Sequence, residues 1–211
     1  MEKYLTVLGE SVAEYTEKRS KFIATLRHCE SEAEATAFID EMRSKYWDAK
    51  HNVFAYSINK GNSRFSDDGE PHGTAGKPIL DVINGNNVTD IAIVVTRYFG
   101  GVLLGTGGLV RAYSKSAKDA LDCGNLAEMI PCNILETECD YTDYQRLVSL
   151  IENSNGTLEN SEYTDKVTVT YSLKAEDVQP FFEKVEESFS ARLKPKITEE
   201  KILPIKIEKN M

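Results

Sequence analysis

The chain is expected to fold as an α+β protein of two domains, residues 1–128 and 132–211. Three observations carry that expectation. Short β-branched and aromatic runs with period-two alternation recur along the chain, separated by stretches with helical spacing of apolar residues. Cys123-Gly-Asn followed by Pro131 stops one pattern and marks a junction near Leu126 to Pro131. Beyond it the elements fall in the order βαββαβ, the ferredoxin-like or split-βαβ plan.

In the first domain Tyr4 to Leu8, Ser11 to Glu17 and Phe22 to Cys29 are predicted strands, from their β-branched and aromatic content. Ser31 is a predicted N-cap, and Glu34 three residues on completes a capping box. Ala35, Phe38, Ile39 and Met42 continue at helical spacing, which runs this helix to about Tyr46. Asn52 to Ile58 is a strand. Asn62-Ser-Arg and the Gly-rich stretch after it are expected to be irregular, and Ile79 to Ile83 to form a short helix. Ile91 to Phe99 is apolar on both faces and so is placed at the centre of a sheet. Leu109 to Leu121 is a helix with Leu109, Ala112, Tyr113, Ser116, Ala117 and Ala120 inward.

In the second domain Ile134 to Cys139 is a strand, and Thr142 to Glu152 a helix burying Tyr144, Leu147, Val148 and Ile151. Asn155-Gly156 is a turn, and Thr157 to Tyr163 pairs with Lys166 to Leu173 as a hairpin. A helix from Ala175 to about Ser188 and a strand from Lys196 to Ile207 close the chain. This domain holds sixteen acids against ten bases and no Gly-rich or His-bearing cluster, the pattern of a recognition or packing module.

With 41% apolar and 28% charged residues the composition is that of a folded, soluble protein. A net charge of −9 argues against a general nucleic-acid coat and against an anionic-membrane binder. Between Arg43 and Lys118, however, ten Lys and Arg stand against six acids, so that segment is +4 and the remainder −13. Either an electropositive site sits on an acidic body, or these charges are scattered over solvated faces. Cys29, Cys123, Cys132 and Cys139 form no Cys-x-x-Cys pair, so they read as free thiols in a reducing compartment rather than zinc ligands. The first residues lack the apolar stretch of a signal peptide, and no run approaches the roughly 20 apolar residues of a membrane span. A cytoplasmic location without membrane contact is expected.

The chemistry concentrates in two clusters flanking Ile91-Ala-Ile-Val-Val95. Six glycines fall between Gly69 and Gly101, and Gly105, Gly107 and Gly108 follow just before a helix. Glycine-rich amides at a helix start make an anion site, and Arg97, Arg111 and Lys77 would join Gly100, Gly101, Gly105, Gly107 and Gly108 around a phosphate. The ordinary alternative is a tight turn that needs positive φ and close packing. Two cofactor fingerprints fail here: no Lys-Ser/Thr follows the last Gly, and Val110 stands where a dinucleotide loop has its final Gly. No cofactor is expected. His51, Asp67, Asp68, Glu70 and His72 could hold a divalent ion or supply a base near neutral pH; Asp-Asp-Gly-Glu-Pro is equally turn chemistry, and metal binding is not expected. Arg19 and Lys21 could add charge to the same pocket or end a solvated strand. Tyr98, Phe99 and Tyr113 could stack on bases or serve as core. No Ser-His-Asp set and no activated Cys can be placed, so the chain reads as a binding factor before an enzyme.

The pairing of Phe65-Ser-Asp-Asp-Gly-Glu-Pro-His-Gly-Thr-Ala-Gly-Lys-Pro78 with Val95-Thr-Arg-Tyr-Phe-Gly-Gly and Leu104-Gly-Thr-Gly-Gly-Leu-Val-Arg-Ala-Tyr113 resembles the IMPACT family. Glu17-Lys-Arg-Ser-Lys-Phe22 and His51-Asn-Val-Phe-Ala-Tyr56 also fit, and the likeness extends to about Asn125. It implies that the first domain has the second-domain fold of small-subunit ribosomal protein five, shared with elongation factor G, ribonuclease PH and mevalonate-type kinases. The acidic remainder is similar to the ferredoxin-like second domain of bacterial members, itself like the last domain of elongation factor G. Eukaryotic members regulate translation under amino-acid starvation by competing for an activator of an initiation-factor kinase, with an extra N-terminal partner-binding domain. This chain starts at the IMPACT-like part, so that mechanism is not expected to carry over. The resemblance implies a non-enzymatic factor linked to translation that binds the ribosome, RNA or a translation factor through the Gly-rich basic site. The alternative is an enzyme acting on a phosphorylated small molecule or nucleotide.

Overall fold

The computed structural model describes residues 3–58 and 61–207. Met1, Glu2, Lys60, Glu208 and Lys209 lie outside the described residues. The described chain divides into two compact units, Tyr4–Glu128 with Lys206 and Ile207, and Met129–Ile205 with Lys3. Among the described residues two sheets and five α-helices make it an α+β protein.

The first unit contains β1 (Tyr4–Leu8), β2 (Glu10–Glu17), β3 (Ser20–His28), α1 (Glu32–Lys45), β4 (His51–Ile58), β5 (Asn62–Ser66), α2 (Gly76–Gly85), β6 (Ile91–Tyr98) and α3 (Thr106–Cys123). Strands β2, β3, β6, β4 and β5 neighbour one another in that order and every pairing is antiparallel. Central β6 explains the two layers. Ile91, Ile93 and Val95 join a core with Phe22, Val53, Ile79, Ile83, Leu109 and Tyr113, which brings α2 and α3 to one face. Ala92 and Val94 point the other way, into a core with Phe38, Ile39, Met42, Phe54 and Tyr56 under α1. A strand buried on both faces needs an apolar residue at every position, and this is the run seen in the sequence. Helix α1 starts at the expected cap: the Glu34 N–H donates to Ser31 Oγ at 3.2 Å. Its reciprocal bond goes one residue further back, from the Glu30 N–H to Glu34 Oε2 at 2.9 Å.

Three local expectations are corrected. Asn62-Ser-Arg is not irregular; it belongs to β5, an edge strand paired with β4 through Ser57↔Ser63 and Tyr56↔Arg64. Its residues are polar and mostly exposed, so no apolar alternation announces it. Helix α2 begins at Gly76, ahead of Ile79, because Asp67 fixes the backbone just before and at its start. Helix α3 likewise begins at Thr106, ahead of Leu109, through Gly107 and Gly108, where first-turn N–H groups need no helical partner.

The second unit is built from β7 (Asn125–Cys139) from Met129 onward, α4 (Tyr141–Asn153), β8 (Thr157–Tyr163), β9 (Val167–Lys174), a 3₁₀ turn (Ala175–Asp177), α5 (Val178–Phe189) and β10 (Lys196–Lys206) as far as Ile205. Strand order β10-β7-β9-β8, with two helices, is that of the split βαβ plan. Leu147 and Ile151 of α4 and Phe181, Val185 and Phe189 of α5 pack on Leu135, Val167, Val169 and Tyr171. Pro131 does not interrupt the chain: β7 runs through it without a break. It stands just ahead of the ladder with β9, which opens at Cys132↔Lys174, so that ladder does not need the N–H proline lacks.

Candidate anion-binding cleft

Strands β4 and β6 bring His51 and Arg97 opposite each other at the sheet end. Both are buried, as is Glu70 from the loop after β5. Glu70 Oε1 accepts a hydrogen bond from Arg97 Nη1 at 2.5 Å and from the Tyr113 hydroxyl of α3 at 2.8 Å. His51 Nε2 lies 3.8 Å from the same oxygen. His51 Nδ1 is 2.8 Å from the Asp68 carbonyl, which only accepts, so Nδ1 carries a proton. Burial first, then the neighbouring Glu70 charge, pushes the Tyr113 phenol well above its ordinary range, so it stays a donor. A buried carboxylate is thereby met by a guanidinium and a hydroxyl, as buried charge requires.

The neighbouring acids build the loop. Asp67 Oδ1 accepts from the N–H groups of Ala75 at 3.1 Å and Gly76 at 2.8 Å, and Oδ2 from Gly73 at 2.8 Å. Asp68 Oδ2 accepts from the Asn52 N–H of β4 at 2.6 Å, with Asp68 itself at φ 44. Glu70 is left as the acid that faces the cleft.

That cleft encloses about 450 Å³ and is lined by Lys50, His51, Glu70 and Arg97 together with Phe99, Leu103, Leu104 and the start of α3. Gly105, at φ 71, is the N-cap of α3; among the described residues no side chain caps the helix, and its first turn holds no acid. Free N–H groups and the positive end of an 18-residue helix therefore open where Gly105 and Thr106 line the cleft. Arg97 also lines this cleft, and its Nε, itself enclosed, has no hydrogen-bond partner among the described residues. The connection from β6 is held by close approach: a Cβ on Gly100 would stand 2.0 Å from the Arg19 carbonyl carbon. The Gly100 N–H donates to Ser20 Oγ at 3.1 Å.

The anticipated residues divide into groups. His51, Glu70, Arg97 and Gly105 share the cleft. Gly100 and Gly101 shape the loop leading to it, and Gly107 lies in the first turn of α3. Gly108 and Arg111 line a second cleft of about 480 Å³, with Lys18, Lys115, Tyr15 and Glu17. Leu104 borders both clefts. Lys77 is exposed on α2 and pairs with Asp81. His72 is 99% exposed, 3.8 Å from Asp67. Arg19 sits in the β2–β3 turn at φ 68, and Lys21 pairs with Glu14 at 2.9 Å. Tyr98 donates to Asp48 at 2.9 Å, Tyr113 is core, and half-exposed Phe99 stands at the cleft rim. Sequence reasoning missed Lys50 altogether and missed Tyr113 as the partner of Glu70. A signal for the latter existed: one polar-tipped ring on an inner helix face otherwise made of small residues and Leu109 needs a partner for its hydroxyl. Among the described residues no group of three or more His, Cys, Asp or Glu is placed to hold a metal ion, and no helix is long and apolar enough to cross a membrane.

Residues 18–121 match the model described as the Impact N-terminal domain, and residues 137–192 match a domain of unknown function, DUF1949. The chain is 35% identical to the IMPACT family member YvyE of Bacillus subtilis over 185 residues, 87% of this chain and 85% of that protein. It is 37% identical to the IMPACT family member YigZ of Escherichia coli over 172 residues, 80% and 84% of the two chains. A crystal structure of a hypothetical protein, 33% identical, superposes with a TM-score of 0.61 and covers 94% of this chain and 98% of its own.

Proposed function

The chain belongs to the IMPACT family, and from that premise we propose that it is a non-enzymatic cytoplasmic factor linked to the regulation of translation, binding single-stranded RNA, free or exposed on the ribosome, at the cleft of its first unit. One observation carries the reading: α3 opens into this cleft uncapped and free of acids, beside a buried arginine with an unpaired Nε. Such a helix start takes a phosphate through backbone amides. Phe99 at the rim offers a ring on which a base stacks, and Lys50 adds a cation beside it. The overall −9 charge fits recognition at one site better than coating of a long polyanion. The same premise supports the second-domain fold of ribosomal protein five for the first unit and a likeness of the second to the last domain of elongation factor G.

Fluorescence anisotropy with a short single-stranded oligoribonucleotide, alongside co-sedimentation with ribosomes, tests the reading. Binding is expected to weaken steeply between about 50 and 200 mM salt as phosphate contacts are lost, and Lys50→Glu is expected to weaken it further. No binding at low salt, or binding indifferent to Lys50→Glu, would overturn it.

A second reading has its own observation. His51 is fixed through Nδ1 on the Asp68 carbonyl, which leaves Nε2 at 3.8 Å from Glu70 in the cleft, an arrangement suited to moving a proton. On this reading the chain is an enzyme acting on a phosphorylated small molecule or nucleotide. Thermal stabilisation by a nucleotide with magnesium, reduced by His51→Gln, supports it, and unchanged melting across a panel of phosphorylated ligands removes it.

A further inference from the structure

We infer that Glu70 reads a ribose hydroxyl, so that the cleft distinguishes RNA from DNA; this rests on the RNA reading above. Glu70 is held in place through one oxygen only. Oε1 takes Arg97 Nη1 and the Tyr113 hydroxyl, and among the described residues no donor hydrogen-bonds to Oε2. An ionised carboxylate accepts at both oxygens, so half of this one is left to a guest, in a side chain that lines the cleft.

The kind of guest follows from charge. Arg97 already stands at 2.5 Å from Glu70, with His51 nearby, so the negative charge is matched within the protein. A second cation, such as a lysine or an amino terminus of a peptide, would be desolvated with no charge left to meet it. The free lone pairs on Oε2 still call for a donor, and a neutral hydroxyl supplies one without adding charge. The guest must also carry an anion for the α3 N–H groups at Gly105 and Thr106, which border the same cleft. A nucleotide within an RNA strand carries both on one sugar: a phosphate and a 2′-hydroxyl. The corresponding deoxynucleotide has the phosphate and lacks the hydroxyl.

The test uses the full-length protein and three oligonucleotides of one sequence, with ribose, 2′-deoxyribose and 2′-O-methylribose. The methyl ether keeps an acceptor and removes the donor, so it separates donation to Glu70 from other uses of the 2′-oxygen. Ribose is expected to bind about tenfold or more tighter than either analogue, the loss expected for a hydrogen bond to a charged group. Glu70→Gln turns an amide donor or a weaker acceptor toward the guest, and the ratio between ribose and deoxyribose is expected to fall to near one. The wild-type series stands even where that variant folds poorly. Equal binding of all three oligonucleotides overturns the inference and leaves the RNA reading intact. Tighter binding of the 2′-O-methyl strand than of deoxyribose overturns donation to Glu70. No binding of any strand, or capture of a cationic peptide in their place, overturns both.

Discussion

Replacing Glu70 by Ala should be among the most costly single changes in the first unit, and the cost can be worked from its contacts. The substitution leaves Arg97, 5% exposed, with its 2.5 Å counter-charge gone and its Nε already unpaired. Breaking a buried pair from one side costs about 3–5 kcal/mol. Tyr113 also loses the acceptor of its hydroxyl, which sits in a fully buried side chain. These terms share one network and do not add in full, so about 4 kcal/mol is a fair expectation. For a unit of this size that lowers the melting temperature by roughly 10–15 °C. Replacing the whole network tells more. Glu70→Leu with Arg97→Met and Tyr113→Phe removes every charged and hydroxyl group of the pairings at Oε1 and should recover most of the loss, because apolar residues of similar volume need no partners. Urea denaturation followed by far-ultraviolet circular dichroism measures both. A loss under about 1 kcal/mol for Glu70→Ala would refute the reasoning. So would a triple variant no more stable than the single one.

Other outcomes follow from the same geometry. Gly100→Ala should destabilise by about 3 kcal/mol or more, since its Cβ would stand 2.0 Å from the Arg19 backbone, whereas Gly107→Ala, with nothing within 4 Å, should stabilise by about 0.4–1 kcal/mol; thermal melts of the two variants shifting the same way would contradict this. In a thiol-reagent time course of the native protein Cys123 should react promptly, while buried Cys29, Cys132 and Cys139 should wait for unfolding; two fast thiols would refute that assignment. Burial pushes the Cys29 thiol from 9.0 up to about 11. A folded value above the unfolded one gives stability that is complete below pH 9 and lost as pH rises through 11, so the urea midpoint should fall across that window and fall less in Cys29→Ala.

The parts of the fold that were legible depended on residues whose neighbours in space are also near in sequence. Ser31 and Glu34 are bonded through one turn, and β6 declares its burial by being apolar at each position from Ile91 to Val95. Strand β5 carried no such mark, because an exposed edge strand is held by backbone pairing alone. The cleft was half legible. His51, Glu70, Arg97 and Gly105 do line one cleft, yet the Arg97 contact with Glu70 depends on the register that sets His51 opposite Arg97, and no spacing within one element encodes a register between two. Arg97 and Arg111 look like a pair in the sequence, but Arg97 lines one cleft, bonded to Glu70, and Arg111 lines another, with Leu104 bordering both. Asp67 and Asp68 look like ligands because turn-forming and ion-binding carboxylates share a composition, and only their occupied oxygens tell them apart.

Those occupied oxygens bear on how the cleft would meet a guest. The loop that presents Glu70 is closed on itself by Asp67 and buttoned to β4 by Asp68, so it is ordered before anything arrives. Encounter then carries no folding step, and the entropy of arranging the loop has been settled once, when the chain folded. Among related guests docking on a rigid receptor, association rates vary far less than affinities do, typically about 10⁵–10⁷ M⁻¹s⁻¹ where charge does not steer the encounter. For any guest this cleft takes, discrimination would then lie chiefly in how long each stays, and residence time is where it would be read.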